Sequence, residues 1–448
     1  MSAPRDARAL ALSVLLDVSQ NGAYANLALP EALGAFTGQE RDKGLATEIV
    51  YGSLRRQGEL DVVVAAVSKR GLKEIDPVVL EILRLSVYQV LFLRVPDHAA
   101  VDQAVRLTKD QGLHQAAGFV NALLRRVVAV PVAQWHDVIS ASADIEQSHP
   151  RWIAHELREA WNLHEQAGDF SDVLSAHNES PLVTLACLPG LSEPESSDHG
   201  TPWSPVGIVV ASGNPSLDTR VATSVARVQD EGSQLAALLL SRFRPLTAGE
   251  LVLDMCAGPG GKTALIGADA ALAGASVLAV EKVPHRGRLV TRSVEGLEKA
   301  HPGVVEVSVG DATDITGTYD RILLDAPCSG LGALRRRPEA RWRKYPEQLA
   351  ELVALQKKLL THAVSLLAPD GVLAYVTCSP VLQETTEVVA SVLDTNPNIT
   401  TIDTPEVLDR IARVPVPATR RGQAVQLWTN LHGTDAMFVQ LLTKTSSG

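Results

Sequence analysis

An all-helical N-terminal domain followed by an α/β domain built on a parallel sheet is the fold class this sequence predicts, and three observations predict it. Residues 1 to about 128 carry apolar side chains at helical spacing without alternation, as in "ARALALSVLLDV" and "DPVVLEILRLSVYQVLFL". From about 225 onward, short apolar runs alternate with helical stretches. The residues between are mixed and end in "PGLSEPESSDHGTPWSP", rich in proline, serine and glycine. The expected division is therefore a helical domain over 1–139, a small mixed α/β linker over 140–224 and an α/β domain over 225–448.

In the first segment, Asp76 before Pro77 reads as a helix cap followed by proline at the first helical position. Basic residues there (Arg55, Arg56, Lys69, Arg70, Lys73, Arg125, Arg126) are balanced by acids, so charge alone does not decide whether the domain binds anything. The middle segment predicts a helix at "PRWIAHELREAWN" and a strand at "LVTLACL". The last predicts strands at 251–254, 276–281, 304–309, 321–325 and 371–378. In a parallel sheet with helices on both faces, ligands collect at the carboxyl ends of the strands. Asp254, Glu281, Asp311, Asp325 and Cys378 fall at those ends, an acidic rim with a thiol.

Composition narrows the classes. The 448 residues are 46% hydrophobic and 21% charged, ordinary for a globular chain with a sizeable core. Four scattered cysteines (Cys187, Cys256, Cys328, Cys378) have neither a disulfide-framework nor a zinc spacing, which predicts a reducing, cytoplasmic setting and no metal. Asp6, Arg8 and Asp17 break any leader layout, and no 18-residue apolar run predicts a membrane span. A net charge of −10 means that a polyanion would have to be met by a local patch. "RRRPEARWRK" at 335–344, six bases against one acid with Trp342 among them, is the expected patch.

"LDMCAGPGGKT" follows the first α/β strand. Gly258, Gly260 and Gly261 suit a sharp turn against a ligand, with helix N–H groups beyond. A phosphate loop would need glycine where Cys256 stands, and the dinucleotide pattern is absent. Glu281 suits ribose hydroxyls and Asp311 an adenine amino group, so the rim fits an adenosine ligand without phosphates, such as S-adenosylmethionine. A lone strand-end cysteine is usually a small buried hydrophobe. Two of them, in "DAPCSG" and "YVTCSP", point instead to one reaction centre.

"LDMCAGPGGKT", "DAPCSGLGALRRRPEARW" and "YVTCSPVLQET" resemble the signature segments of S-adenosylmethionine-dependent RNA cytosine-5 methyltransferases. The helical residues, with "ALLRRV" near their end, are similar to the NusB-like domain fused to that catalytic domain in bacterial 16S rRNA cytosine-5 methyltransferases of the Sun/Fmu type. "VQDEGSQL" and "GTDAMFVQLLTK" extend the resemblance over essentially the whole chain. It implies a Rossmann-like methyltransferase domain after a NusB-like RNA-binding domain. The implied cofactor residues are Cys256, Ala257, Gly258, Pro259, Gly260, Gly261, Lys262, Glu281, Arg286, Asp311 and Asp325. The implied nucleophile is Cys378, with Cys328 as second cysteine and Asp325 beside it. Two positions depart from the family pattern. Gly258 stands where alanine is commoner, and "LQETT" replaces Pro-Glu-Glu-Asn after the nucleophile, which concerns how the loop after Cys378 is held.

What the resemblance implies chemically is a thiolate of Cys378 adding to carbon 6 of cytosine, because carbon 5 is otherwise a poor nucleophile. Asp325 would hydrogen-bond the base's N3 and amino edge. Cys328 would help remove the carbon-5 proton or let the sulfur leave. A thiol needs nearby positive charge or a helix end to be thiolate at neutral pH. The expected substrate is single-stranded or loop RNA, since a stacked base must be flipped out; 16S rRNA is the implied RNA, "RRRPEARWRK" would grip its phosphates, and ribosomal proteins are further candidate partners. The competing readings are a tRNA cytosine-5 methyltransferase and a non-catalytic RNA-binding assembly factor.

Overall fold

The computed structural model describes residues 6–445 apart from 94, 166–167, 211–214 and 216–217. The chain divides into two compact units. One gathers Met1–His155, Leu174–Ser180 and Leu334–Arg343; the other gathers Glu156–Val173, Pro181–Ala333 and Lys344–Gly448. Residues 140–224, expected as a linker subdomain, are thus shared between the two.

The first unit is helical: Ala7–Gln20, Ala25–Ala35, Glu40–Arg55, Gln57–Val67, Pro77–Leu91, Asp97–Asp110, Ala117–Val128 and Val132–Ser140. Leu10, Leu15, Ile49, Leu60, Ile82, Val120 and Leu124, spaced on the inner stripes of these helices, are wholly or almost wholly buried in one core. Asp76 accepts from the Val78 and Val79 amides at 2.8 and 3.3 Å, the cap its sequence context predicts.

The second unit carries the parallel sheet. Its strands are β1 (Leu251–Asp254), β2 (Ser276–Glu281), β3 (Val305–Val309), β4 (Tyr319–Asp325), β5 (Leu367–Thr377), β6 (Ile399–Thr401), β7 (Arg420–Arg421), β8 (Ala424–Gln426) and β9 (Phe438–Lys444). The order is β7-β8-β9-β5-β4-β1-β2-β3, with β6 also on β9. The run β5-β4-β1-β2-β3 is parallel and β9 is antiparallel to β5. The helices are α1 (Glu231–Ser241), α2 (Gly261–Ala273), α3 (Pro284–Ala300), α4 (Pro346–Leu366) and α5 (Thr386–Leu393).

Strand periodicity shows directly in the packing. Val252, Leu323, Val372 and Ala374 face one apolar layer with Leu238, Leu265 and Val290 of α1, α2 and α3. Their neighbours Leu253, Ile322, Leu324, Leu373 and Tyr375 face the opposite layer with Leu360 and Val388 of α4 and α5. Chain order reverses between β1 and β4, and a crevice opens there at the carboxyl ends. A four-stranded antiparallel sheet (His199–Gly200, Gly207–Val210, Val183–Cys187, Ala226–Val228) precedes α1 in the same unit. It buries Cys187 as packing.

Candidate active site

The loop between β1 and α2 turns on Gly260, whose φ is +105°. A β-carbon there would meet Ser293 Cβ at 2.6 Å and the Val290 Cα at 2.8 Å, so only glycine fits. At Gly258 an added β-carbon would lie 2.3 Å from Glu281 Oε2, the end of a side chain. The carboxylate uses that space: Gly258 N donates to Glu281 Oε2 at 3.0 Å, and Val283 N donates to Oε1 at 2.9 Å. Arg286 donates to Gly258 O at 2.5 Å and lies 3.5 Å from Glu281. Glu281, at the end of β2 and 4% exposed, therefore pins the glycine loop as well as facing the crevice.

Gly310 N donates to the Glu281 carbonyl at 3.1 Å and so sets Asp311 beside it. Lys282 Nζ at 2.8 Å, with the Thr313 amide and hydroxyl both at 2.9 Å, holds the Asp311 carboxyl well below the usual carboxylate range. A hollow of about 110 Å³ is lined by Asp254, Cys256, Gly258, Lys262 and Asp325, with Gln229 from the "VQDEGSQL" segment. A larger hollow against Val305 and Val307 includes none of the sequence-predicted site residues. Burial pushes Asp254 up to about 7, although Thr263 Oγ1 donates to it at 2.7 Å. Burial, with Asp254, Asp325 and Glu281 nearby, raises the Cys256 thiol, which suits a pocket wall rather than a nucleophile.

Lys262 Nζ donates to Asp325 Oδ2 at 2.7 Å. Burial disfavours this ammonium, but Asp325, Cys378 and Asp254 together hold it above an ordinary lysine. The two cysteines meet, with Sγ to Sγ at 3.4 Å. Cys328 follows β4 and Cys378 follows β5. The hydrogen bond to Cys378, then burial, with Glu384 and Asp325 adding negative charge, pushes the Cys328 thiol up. Behind the pair, Ser329 Oγ and Ser379 Oγ lie 3.1 Å apart, and Ser329 N donates to Glu384 at 2.6 Å. Sequence reasoning missed Glu384; its signal was a carboxylate in "LQETT", the segment that departs from the family pattern.

The basic stretch at 335–344 does not act as expected. Residues 334–343 pack within the helical unit. Arg341 is 0% exposed and donates to the carbonyls of Arg55 at 2.9 Å and His177 at 2.8 Å, and to Asn178 Oδ1 at 2.6 Å. Arg343 serves the carbonyls of Val18, Gly22 and Ala23 at the end of the first helix, Trp342 packs on the helical core, and Arg335 is buried. Guanidinium forks satisfying helix-end carbonyls give Arg341 and Arg343 a structural use, so these two do not serve the expected RNA grip as free cations, while Arg337 stays exposed.

Do the residues fit an adenosine cofactor? A loop whose turn at Gly260 only glycine can make leads into a helix, with Glu281 and Asp311 at adjacent strand ends. These suit the backbone approach and the hydroxyl and amino groups of such a ligand.

Fold and site define a methyltransferase that uses S-adenosylmethionine. Residues 244–443 match the family model described as 16S rRNA methyltransferase RsmB/F, and residues 5–129 match the NusB family. A Mycobacterium tuberculosis protein that carries a provisional methyltransferase name is 40% identical over 98% of this chain and 96% of its own. Ribosomal RNA small subunit methyltransferase B of Pseudomonas putida is 31% identical over 89% of this chain and 91% of its own. Among solved structures, PH0851 superposes with a TM-score of 0.77 at 20% identity over 97% of both chains. NSun6 from Pyrococcus horikoshii, solved with the S-adenosylmethionine analogue SFG, gives 0.52 at 16% identity over 65% of this chain and 98% of its own. At such identities these two speak for the fold. The chain belongs to the RsmB/F family of RNA methyltransferases, with a NusB-family domain at its N-terminus.

Proposed function

We propose that the protein methylates carbon 5 of a cytosine in RNA, with 16S rRNA the favoured substrate, through a covalent adduct of Cys378 at carbon 6. The single observation that carries this reading is the 3.4 Å approach of Cys328 and Cys378 beside the Lys262–Asp325 ion pair. When bound, S-adenosylmethionine supplies an electrophilic methyl group. This chain's residues do the rest. Lys262 provides the positive charge a thiolate at Cys378 requires. Asp325, already aligned by Lys262, can hold the cytosine N3 and amino edge while the sulfur adds. Once carbon 5 carries the methyl, Cys328, whose thiol keeps its proton, can give that proton to the Cys378 sulfur as the bond to carbon 6 breaks, and the thiolate left on Cys328 takes up the carbon-5 proton.

The choice of 16S rRNA rests on the family description and on what the curated relatives are named for. In the helical unit, read as the RNA-binding domain, Lys69, Arg70, Lys73, Arg125 and Arg126 are exposed whereas Arg55 is buried. Arg70 stands over the Phe119 ring and Arg126 donates to the Val67 carbonyl, which brings the ends of two helices together as one basic face. Contacts with ribosomal proteins and a cytoplasmic location follow from the same reading; no single described helix is long and apolar enough to cross a membrane.

A denaturing gel with cofactor and substrate RNA tests the cysteine roles. Cys378→Ala should give neither product nor a denaturant-resistant protein–RNA band, while Cys328→Ala should accumulate that band with little free product. The reverse pattern would swap the roles, and methylation without an adduct in either variant would refute covalent catalysis. Bisulfite sequencing of RNA from cells with and without the protein identifies the modified cytosine.

A further inference from the structure

The cysteines sit on two loops that start from adjacent strands and are 50 residues apart in the chain. Thiols make weak hydrogen bonds, so the pair cannot hold its own spacing. Something else must fix these loops, and one side chain touches both sides of the problem. Glu384 is 0% exposed. Its Oε1 accepts from Ser329 N at 2.6 Å and from Gln356 Nε2 at 3.1 Å, and its Oε2 accepts from Ser329 Oγ at 2.5 Å. Ser329 follows Cys328 directly, and its hydroxyl reaches Ser379, which follows Cys378 directly, at 3.1 Å. Gln356 on α4 also donates to the carbonyl of Pro327, on the other side of Cys328, at 2.9 Å. Tyr375 on β5 closes the arrangement by donating to the Glu384 carbonyl at 2.7 Å.

We propose that Glu384 is the positioning residue that sets Cys328 against Cys378 by clamping the two cysteine loops through Ser329, Ser379 and Gln356. The proposal deepens, and rests on, the two-cysteine reading above. Three donors converge on the two oxygens, a demand that an acceptor-only carboxylate meets and that a glutamine amide, turning N–H groups on one side, does not.

The charge is informative too. Among the described residues no lysine or arginine pairs with Glu384, so a negative charge is buried against neutral donors, a costly choice if bracing were its only use. It acts on the pair unequally. The groups facing Cys328 are Cys378, Glu384 and Asp325, and Tyr375 stands close with its own phenol held neutral by burial, Cys328 and Glu384. Lys262 faces Cys378. One clamp thus holds the spacing and adds its charge to the hydrogen bond and the burial that keep the proton on Cys328.

The test uses the full chain and reads each cysteine by iodoacetamide alkylation against pH, with peptide mass spectrometry, beside turnover and cofactor calorimetry. In Glu384→Gln, Cys328 should alkylate on the order of ten times faster at pH 8, because a negative charge opposing its thiolate is gone. Turnover should fall on the order of 100-fold, as expected for a small misplacement of reacting groups, through kcat rather than through KM for RNA. Cofactor affinity should not move. Glu384→Asp, which restores the charge on a shorter arm, should return the alkylation profile while leaving turnover low. Wild-type alkylation of both cysteines in a folded Glu384→Gln would overturn the proposal. Should that variant not fold, Ser329→Ala removes the hydroxyl that bridges Glu384 and Ser379 while keeping the charge, and unchanged turnover there overturns the clamp equally. Alkylation needs no RNA, so a chain that proved to modify something other than cytosine would still report on the clamp.

Discussion

Replacing Arg341 by methionine separates a structural from an RNA-gripping use of the 335–344 stretch. The wholly buried guanidinium donates to the carbonyls of Arg55, Ser148 and His177 and to the Asn178 side chain. Bonds from a charged donor contribute roughly 1.5–3 kcal/mol each, or about 6–12 kcal/mol for four. Burial opposes this: with Arg56 and Arg55 nearby it pulls Arg341 well below an ordinary arginine, to about 9. That fall corresponds to roughly 5 kcal/mol at about 1.36 kcal/mol per pH unit. The difference centres on about 4 kcal/mol, the order expected when four acceptors lose their shared donor. Because the chain has two units, the loss should be read locally, by native-state hydrogen exchange at the end of helix Glu40–Arg55 and across Leu174–Ser180. RNA binding measured over a range of salt should keep its slope, and exposed Arg337→Ala should leave both readouts near wild type. Exchange protected to within about 1 kcal/mol of wild type, together with a slope shallower by about 0.7, would mean that Arg341 contacts phosphate and that this packing argument is wrong.

Glu281→Ala removes the carboxylate that holds Gly258 N and Val283 N as well as the expected ribose contact, so calorimetry should show cofactor affinity down by at least about 1.5–3 kcal/mol; unchanged affinity would end its assignment. Changing Lys69, Arg70 and Lys73 together to alanine should flatten the salt dependence of RNA binding by up to about two units of slope, at roughly −0.7 per single-strand contact, with cofactor affinity unmoved. Asp254 supplies a pH test. Its folded value, about 7, lies above the unfolded carboxylate value, so its stabilising contribution is complete below about pH 4 and is lost as pH rises toward 7 and beyond. Urea melts of the α/β unit between pH 5 and 8 should therefore weaken with rising pH, and Asp254→Asn should flatten that decline; a parallel decline in both proteins would refute it.

The parallel half of the sheet was legible because strands covered on both faces read as continuous apolar runs, and all five such runs became strands. The antiparallel edge was not. β6, β7 and β8 are two or three residues long, too short for alternation to register, and β9 joins the parallel run by pairing with β5, about 70 residues earlier. Rim acids and thiols could be read from their position after strands, since strand ends set their location. Glu384 could not, because its meaning lies in Ser329, 55 residues away. "RRRPEARWRK" misled for the same reason. A basic run looks solvated until the carbonyls that bury it are known, and those of Val18, Gly22 and Ala23 lie more than 300 residues upstream.

The acids that suit this crevice to an adenosine cofactor make it hostile to a thiolate. Cys256 shows part of the consequence: burial raises its thiol above an ordinary cysteine, and Asp254, Asp325 and Glu281 push it further the same way. Any cysteine on the same rim meets that field unless a cation intervenes, and Lys262 is placed to intervene, locked to Asp325 at 2.7 Å and felt by Cys378. That gives β5, rather than β4, the better place for the nucleophile. A thiol after β4 sits against Asp325 and Glu384 and keeps its proton, whereas one after β5 shares the lysine. In the mechanism we propose, the second cysteine has the opposite use, passing its proton to the sulfur 3.4 Å away that must leave. The hydrogen bond to Cys378 and burial, with Glu384 and Asp325 adding to them, keep the proton on Cys328, and the lysine is left to Cys378.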